Sequence, residues 1–94
     1  MLGERIKLLR KASKLNQVEL GDKLEVTKQT VSNWENENIL PSVDMLIKIC
    51  EFFNVSTDYI LGLDDKTYIE VTGLSMETLA HIQQIINDIR GKKV

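Results

Sequence analysis

Apolar residues recur along this chain at helical spacing, in short blocks separated by polar breaks. Leu2, Ile6 and Leu9 fall at i, i+4 and i+7, one stripe of a first helix predicted from Leu2 to about Ser13. Arg5, Lys7, Arg10 and Lys11 occupy its remaining surface. Asn16, followed three positions later by Glu19, has the spacing of a capping box and opens a short helix to about Leu24 that buries Leu20 and Leu24. Thr27 caps a third helix running to about Asn36. Only Glu25, Val26 and Thr27 separate the second helix from the third, so the two must cross sharply.

Pro41 prevents the third helix from continuing through the loop that follows it. Ser42 caps a fourth helix, with Leu46, Ile49, Cys50 and Phe53 at i, i+3, i+4 and i+7. Ser56 caps a short fifth helix ending at Gly62. These five helices form a compact bundle over residues 1–62.

Beyond Gly62 the pattern changes. Leu63-Asp-Asp-Lys-Thr67 is a polar linker, and Tyr68-Ile-Glu-Val71 alternates like a brief strand. A last helix is predicted from about Met76 to Arg90, capped by Ser75 with Glu77 in its first turn. Leu79, Ile82, Ile86 and Ile89 follow a 3-4-3 spacing, and Ile85 widens the stripe. The stripe can fold back onto its own bundle or pair with a second copy. The upstream bundle already closes around its own core, so residues 63–94 are read as a linker and an oligomerisation helix. Tyr68–Val71 could add a strand across the same two-fold axis.

Composition agrees with an all-α chain. Apolar residues make up 43% of the 94, aromatics 5%, and there is one proline. No apolar run is long enough to span a membrane, and charges interrupt Met1 to Lys14, so neither a membrane anchor nor a secretory leader is expected. A cytoplasmic location follows as the expectation. Cys50 has no partner in the chain and falls in an apolar stripe, which makes it a core residue and excludes a disulfide framework.

The formal charge of −2 does not by itself favour a polyanionic partner. Split at residue 40, the chain has seven basic side chains against six acidic ones, then five against eight. The asymmetry has the sign a DNA-binding N-terminal half needs, but it is small. The pattern of side chains has to carry the functional reading.

On the third helix, Val31 and Trp34 lie on one side and Gln29, Ser32, Asn33 and Asn36 on the other, with Lys28 at the edge. A generic solvated helix shows mostly charge, whereas this face shows amides and hydroxyls. Amides pair bidentately with adenine and lysine donates to guanine, so the face suits readout in the major groove. The second helix begins at Asn16 and Gln17, where exposed backbone N–H groups and the positive dipole end can hold a phosphate. Lys11 and Lys14 are open between solvated surface and phosphate contact. His81 has no second ligand near it, and Asp64-Asp65 reads as a solvated pair in a linker. No nucleophile–base pair, phosphate loop or metal-ligand cluster is visible, so no enzyme, cofactor or metal site is expected.

The runs Asn16-Gln-Val-Glu-Leu20, Val26-Thr-Lys-Gln-Thr-Val-Ser-Asn-Trp-Glu-Asn36, then Pro41, then Val55-Ser-Thr-Asp-Tyr-Ile-Leu-Gly62 resemble the Cro/C1-type helix-turn-helix family, also called the xenobiotic-response-element family. The resemblance covers roughly residues 2–62. It implies a five-helix, lambda-repressor-like DNA-binding domain, here with a short linker or strand and a C-terminal dimerisation helix appended. By the same resemblance, Thr27, Lys28, Gln29 and Asn33 face bases, with Ser32 beside them touching phosphate or base. Gln17 and Asn36 match phosphate-contacting positions, beside Asn16, which is assigned to phosphate from its place at the helix N-terminus, and Arg10 and Glu35 match a partly buried structural ion pair.

Two positions depart from the family pattern. Gly21 stands where the family usually has alanine, and Glu37 and Asn38 stand where it commonly has glycine and often a basic residue. An acid at 37 would weaken binding or point away from the phosphates. The resemblance implies a sequence-specific transcriptional regulator, commonly a repressor, that binds a pseudo-palindromic site on double-stranded DNA as a homodimer. A regulatory protein is a further partner to consider. An adaptor or antitoxin using the same fold is the alternative reading.

Overall fold

A computed structural model describes residues 2–64, 66 and 68–91 of the chain. Six helices follow one another: α1 (Leu2–Ala12), α2 (Gln17–Leu24), α3 (Lys28–Glu35), α4 (Val43–Phe53), α5 (Thr57–Ile60) and α6 (Met76–Ile89). Each predicted cap is present. The Thr27, Ser42, Ser56 and Ser75 side chains accept from the backbone N–H three residues on, and Asn16 forms a complete capping box with Glu19. Such caps satisfy N–H groups that the helix itself leaves unpaired, and each contributes about 1 kcal/mol.

Ile6, Leu20, Leu24, Val31, Trp34, Ile49, Cys50 and Ile60 form one buried cluster, so every helix from α1 to α5 contributes to it. α3 packs on both α1 and α2, while α5 joins α1 to α4. The turn between α2 and α3 is tight because Gly21 allows it. A Cβ at this position would lie 2.6 Å from the Val26 carbonyl oxygen. Glycine thus replaces the small alanine of the family pattern for a steric reason. Gly3, which the periodicity did not single out, plays the same part at the start of α1. A Cβ there would meet the Trp34 and Glu35 carbonyls at 2.6 Å.

Lys48 links α4 to α2 in a way the sequence does not announce. Its Nζ donates to the Leu24 carbonyl at 2.9 Å, capping the C-terminal end of α2, where Glu25 adopts a left-handed φ of 61°. A cation at a helix C-terminus also meets the negative end of the dipole.

The expectation of a short strand over Tyr68–Val71 is not met. Residues 68–71 form no ladder, and no strand occurs among the described residues. Alternation alone cannot make a strand without a partner edge, and none occurs among the described residues. Asp65 and Thr67 of the polar linker lie outside the described residues.

α6 stands apart. None of its residues is buried, and among the described residues it makes no substantial packing contact with α1–α5. The radius of gyration is 15.7 Å with extents of 46 × 24 × 23 Å, against roughly 12 Å for a compact chain of this length.

Candidate nucleic-acid interface

The groups expected at DNA are held by a buried ion pair. Arg10 on α1 donates through Nε to Glu35 Oε2 at 2.7 Å and through Nη2 to Glu35 Oε1 at 3.0 Å. Its Nη1 donates to the Leu15 carbonyl at 2.9 Å. Leu15 directly precedes the α2 cap, so one guanidinium ties the last residue of α3 to the start of α2. Both side chains are more than nine-tenths buried. The hydrogen bond to Glu35 raises the Arg10 pKa above its ordinary value, burial opposes this, and the carboxylate charge adds to the rise. Gln17 joins the network, its Nε2 donating to Glu35 Oε1 at 3.1 Å.

Above this support lies the α3 surface. Thr27, Lys28 and Gln29 are exposed, and Ser32 and Asn33 are half-buried. Gln29 Nε2 donates to Asn33 Oδ1 at 3.0 Å, leaving Gln29 Oε1 and Asn33 Nδ2 unspent in that bond. Thr27 Oγ1 is used locally, accepting from the Thr30 N–H at 3.1 Å. Asn36 is the C-cap of α3, so the helix stops one residue short of the predicted end. Its Nδ2 donates to Ser32 Oγ at 3.3 Å.

At the α2 end, Asn16 Oδ1 accepts from the Glu19 N–H and the Asn16 N–H donates to the Glu19 carboxylate. The amide of Asn16 and the second proton of the Gln17 amide stay available beside the first turn of α2. The residues expected at DNA therefore fall on two adjoining helices, with Asn16 and Gln17 at the N-terminal end of α2 and Thr27, Lys28, Gln29, Ser32, Asn33 and Asn36 along α3 and its two caps. The five expected interface residues Leu79, Ile82, Ile85, Ile86 and Ile89 lie on α6, away from both.

Glu37 has a left-handed φ of 58°. That conformation gives a physical reason for the glycine the family carries here. The Glu37 Cγ lies over Gly3, within 2.8 Å of where a Cβ would sit, so the side chain leaves α3 toward the N-terminal end of α1. Cys50 is a core residue as expected, and its burial pushes the thiol up from its ordinary value. Among the described residues no His, Cys, Asp or Glu cluster could hold a metal ion, and no helix is long and apolar enough to cross a membrane.

A family model described as helix-turn-helix matches residues 6–60. The HTH-type transcriptional regulator ImmR of Bacillus subtilis is 34% identical over 87 residues, covering 93% of this chain and 68% of its own. The chain spans a smaller share of the other curated relatives it matches. The crystal structure of the P22 c2 repressor in complex with a synthetic operator superimposes with a TM-score of 0.64 at 33% identity, covering 68% of this chain and 97% of that one. A complex of the SinR and SinI proteins gives a TM-score of 0.62 over 98% of this chain and all of that one, at 23% identity, a likeness of fold alone.

Proposed function

The chain belongs to the Cro/C1-type helix-turn-helix family of transcriptional regulators, and on that premise we propose that it binds a pseudo-palindromic site on double-stranded DNA as a homodimer and represses transcription there. The observation that carries this reading is the α3 face of Lys28, Gln29, Ser32 and Asn33, fastened from below by Arg10, Glu35 and Gln17. The P22 c2 repressor, similar over the same region, is solved with an operator.

Base reading falls to Thr27, Lys28, Gln29, Ser32 and Asn33. Gln29 and Asn33 act as one unit, Gln29 Oε1 accepting from an adenine N6 and Asn33 Nδ2 donating to an N7. Asn16, Gln17 and Asn36 contact phosphate, which sets register without reading sequence. Glu37 is turned toward α1, so it adds a repulsive charge near the end of α3 but occupies no contact position.

Affinity then depends on pairing two copies, because the domain carries little surplus positive charge. Residues 63–94 serve this purpose, with Leu79, Ile82, Ile85, Ile86 and Ile89 as the self-complementary face of α6. In support, Ile85 is 45% and Ile89 81% exposed in the single chain. The same face is available to a regulatory protein, and engagement of it in place of a second copy would separate the two reading helices.

Selection of bound sites from random duplex DNA, followed by titration at several salt concentrations, tests the reading. The expected result is a two-fold symmetric motif with half-sites one helical turn or a multiple apart. Affinity should fall as salt rises, with a log–log slope near −0.9 per phosphate neutralised by Lys or Arg. Weak, salt-insensitive binding with no selected motif would favour the adaptor or antitoxin reading instead.

A further inference from the structure

The linker does not leave α5 as a free chain. Gly62 turns at a φ of 79°, and the N–H groups of Leu63 and Asp64 both donate to the Asp58 carbonyl, at 2.8 and 3.3 Å. Arg5 then reaches over from α1. Its Nη1 donates to the Tyr59 carbonyl at 2.8 Å and to the Asp64 carbonyl at 3.4 Å, and its guanidinium lies 4.4 Å from the centre of the Tyr59 ring.

Asp64 passes the connection on. Its Oδ1 accepts from the Lys66 N–H at 2.8 Å and its Oδ2 from the Tyr68 hydroxyl at 3.2 Å. The Asp64 bond raises the Tyr68 pKa above its ordinary value. Asp64 is half-buried, not the solvated acid expected of a linker. Further along, the Thr72 N–H donates to the Glu70 carboxylate, the Leu74 N–H donates to the Val71 carbonyl at 3.2 Å, and Ser75 caps α6. Glu70 also lines a shallow cleft with Ile47, Cys50, Glu51, Asn54 and Val55, which lays this stretch of chain beside α4.

We propose that Arg5, Asp64 and Tyr68 are positioning residues that set which half-site spacing the dimer accepts, by fixing the direction in which the linker leaves the reading domain. This rests on the reading of α6 as the dimer element. A free linker from 64 to 75 would have a root-mean-square span of roughly 20 Å. Two such linkers would let the reading helices serve several spacings almost equally, whereas a span that must match the sites makes affinity depend sharply on it. The bonds from Arg5 through Asp64 to Tyr68 remove the slack nearest the domain.

The test uses the full chain and its own selected site, re-spaced in single-base-pair steps. Wild type should lose roughly tenfold or more in affinity at a shifted spacing, while Asp64→Ala and Tyr68→Phe should lose threefold or less. Base preference within a half-site and the monomer–dimer midpoint should not change, since neither residue touches bases or α6. Both substitutions fall on exposed or half-exposed side chains, so folding is retained even where Arg5→Ala is destabilising. Spacing profiles in both variants identical to wild type overturn the inference while leaving the dimer intact. A wild-type chain that binds as a monomer, shown by sedimentation with DNA, overturns the dimer reading and the inference together.

Discussion

Gln17 Nε2 lies 3.1 Å from Glu35 Oε1, so the side chain that begins α2 is bonded to the carboxylate that ends α3. Arg10 holds the same carboxylate by two bonds. The separation between the N-terminal end of α2 and the C-terminal end of α3 is thereby set inside the protein.

Breaking this support should be expensive. Glu35→Ala leaves a buried guanidinium with a single carbonyl partner, and the expected loss is about 3–5 kcal/mol of folding stability. Replacing Arg10 and Glu35 together with apolar residues of similar volume should cost much less. Urea denaturation of the single and double variants decides this, and equal losses in both would contradict the account of the pair.

Gly21→Ala should destabilise the fold, although alanine is the better helix former. The added Cβ would sit 2.6 Å from the Val26 carbonyl, so α2 must move away from the turn into α3. The strain should outweigh the propensity gain of roughly 0.5–1 kcal/mol. Thermal denaturation of the variant should show a lower midpoint.

Glu37→Gly should act in the opposite direction. It relieves a left-handed non-glycine residue, worth about 1 kcal/mol, and removes an acid just past the end of α3. The variant should melt higher and bind every duplex more tightly, with unchanged base preference, as read by parallel melting and binding titrations.

Ile82→Asp combined with Ile86→Asp should convert a dimer to a monomer without unfolding the domain, because no α6 residue belongs to the buried cluster. Sedimentation equilibrium should show the change in mass while the circular dichroism melt of the bundle stays in place. A mass unaltered by the substitutions would remove α6 from the interface.

The features readable in the sequence were the local ones. Asn16–Glu19, Thr27, Ser42, Ser56 and Ser75 announce helix starts because a cap is made within three residues, and the stripes of Ile6, Leu20, Val31 and Ile49 announce the core by period. What escaped depends on tertiary approach. Nothing near Gly3 signals that two carbonyls of α3 press on it, and nothing near Lys48 signals that it caps α2. Asp64 reads as solvated because its backbone carbonyl meets Arg5, far away in the chain, and its carboxylate is taken up by the Lys66 N–H and the Tyr68 hydroxyl only when the linker folds back. Tyr68–Val71 looked like a strand because alternation is local, whereas a partner edge is not. In the interface the face of α3 is visible in the sequence, and the resemblance implies that Gln17 braces that helix, but the bond that ties Gln29 to Asn33 is not visible.

The division of labour between α2 and α3 is tested most directly by comparing Gln29→Ala with Gln17→Ala on the selected site and on a scrambled duplex. Gln29→Ala should cost about 1–3 kcal/mol on the selected site and little on the scrambled one, relaxing specificity. Gln17→Ala should weaken both alike, with base preference intact and, because the amide carries no charge, the salt slope nearly unchanged. Equal loss of specificity from the two substitutions would contradict the assignment of bases to α3 and phosphate to α2.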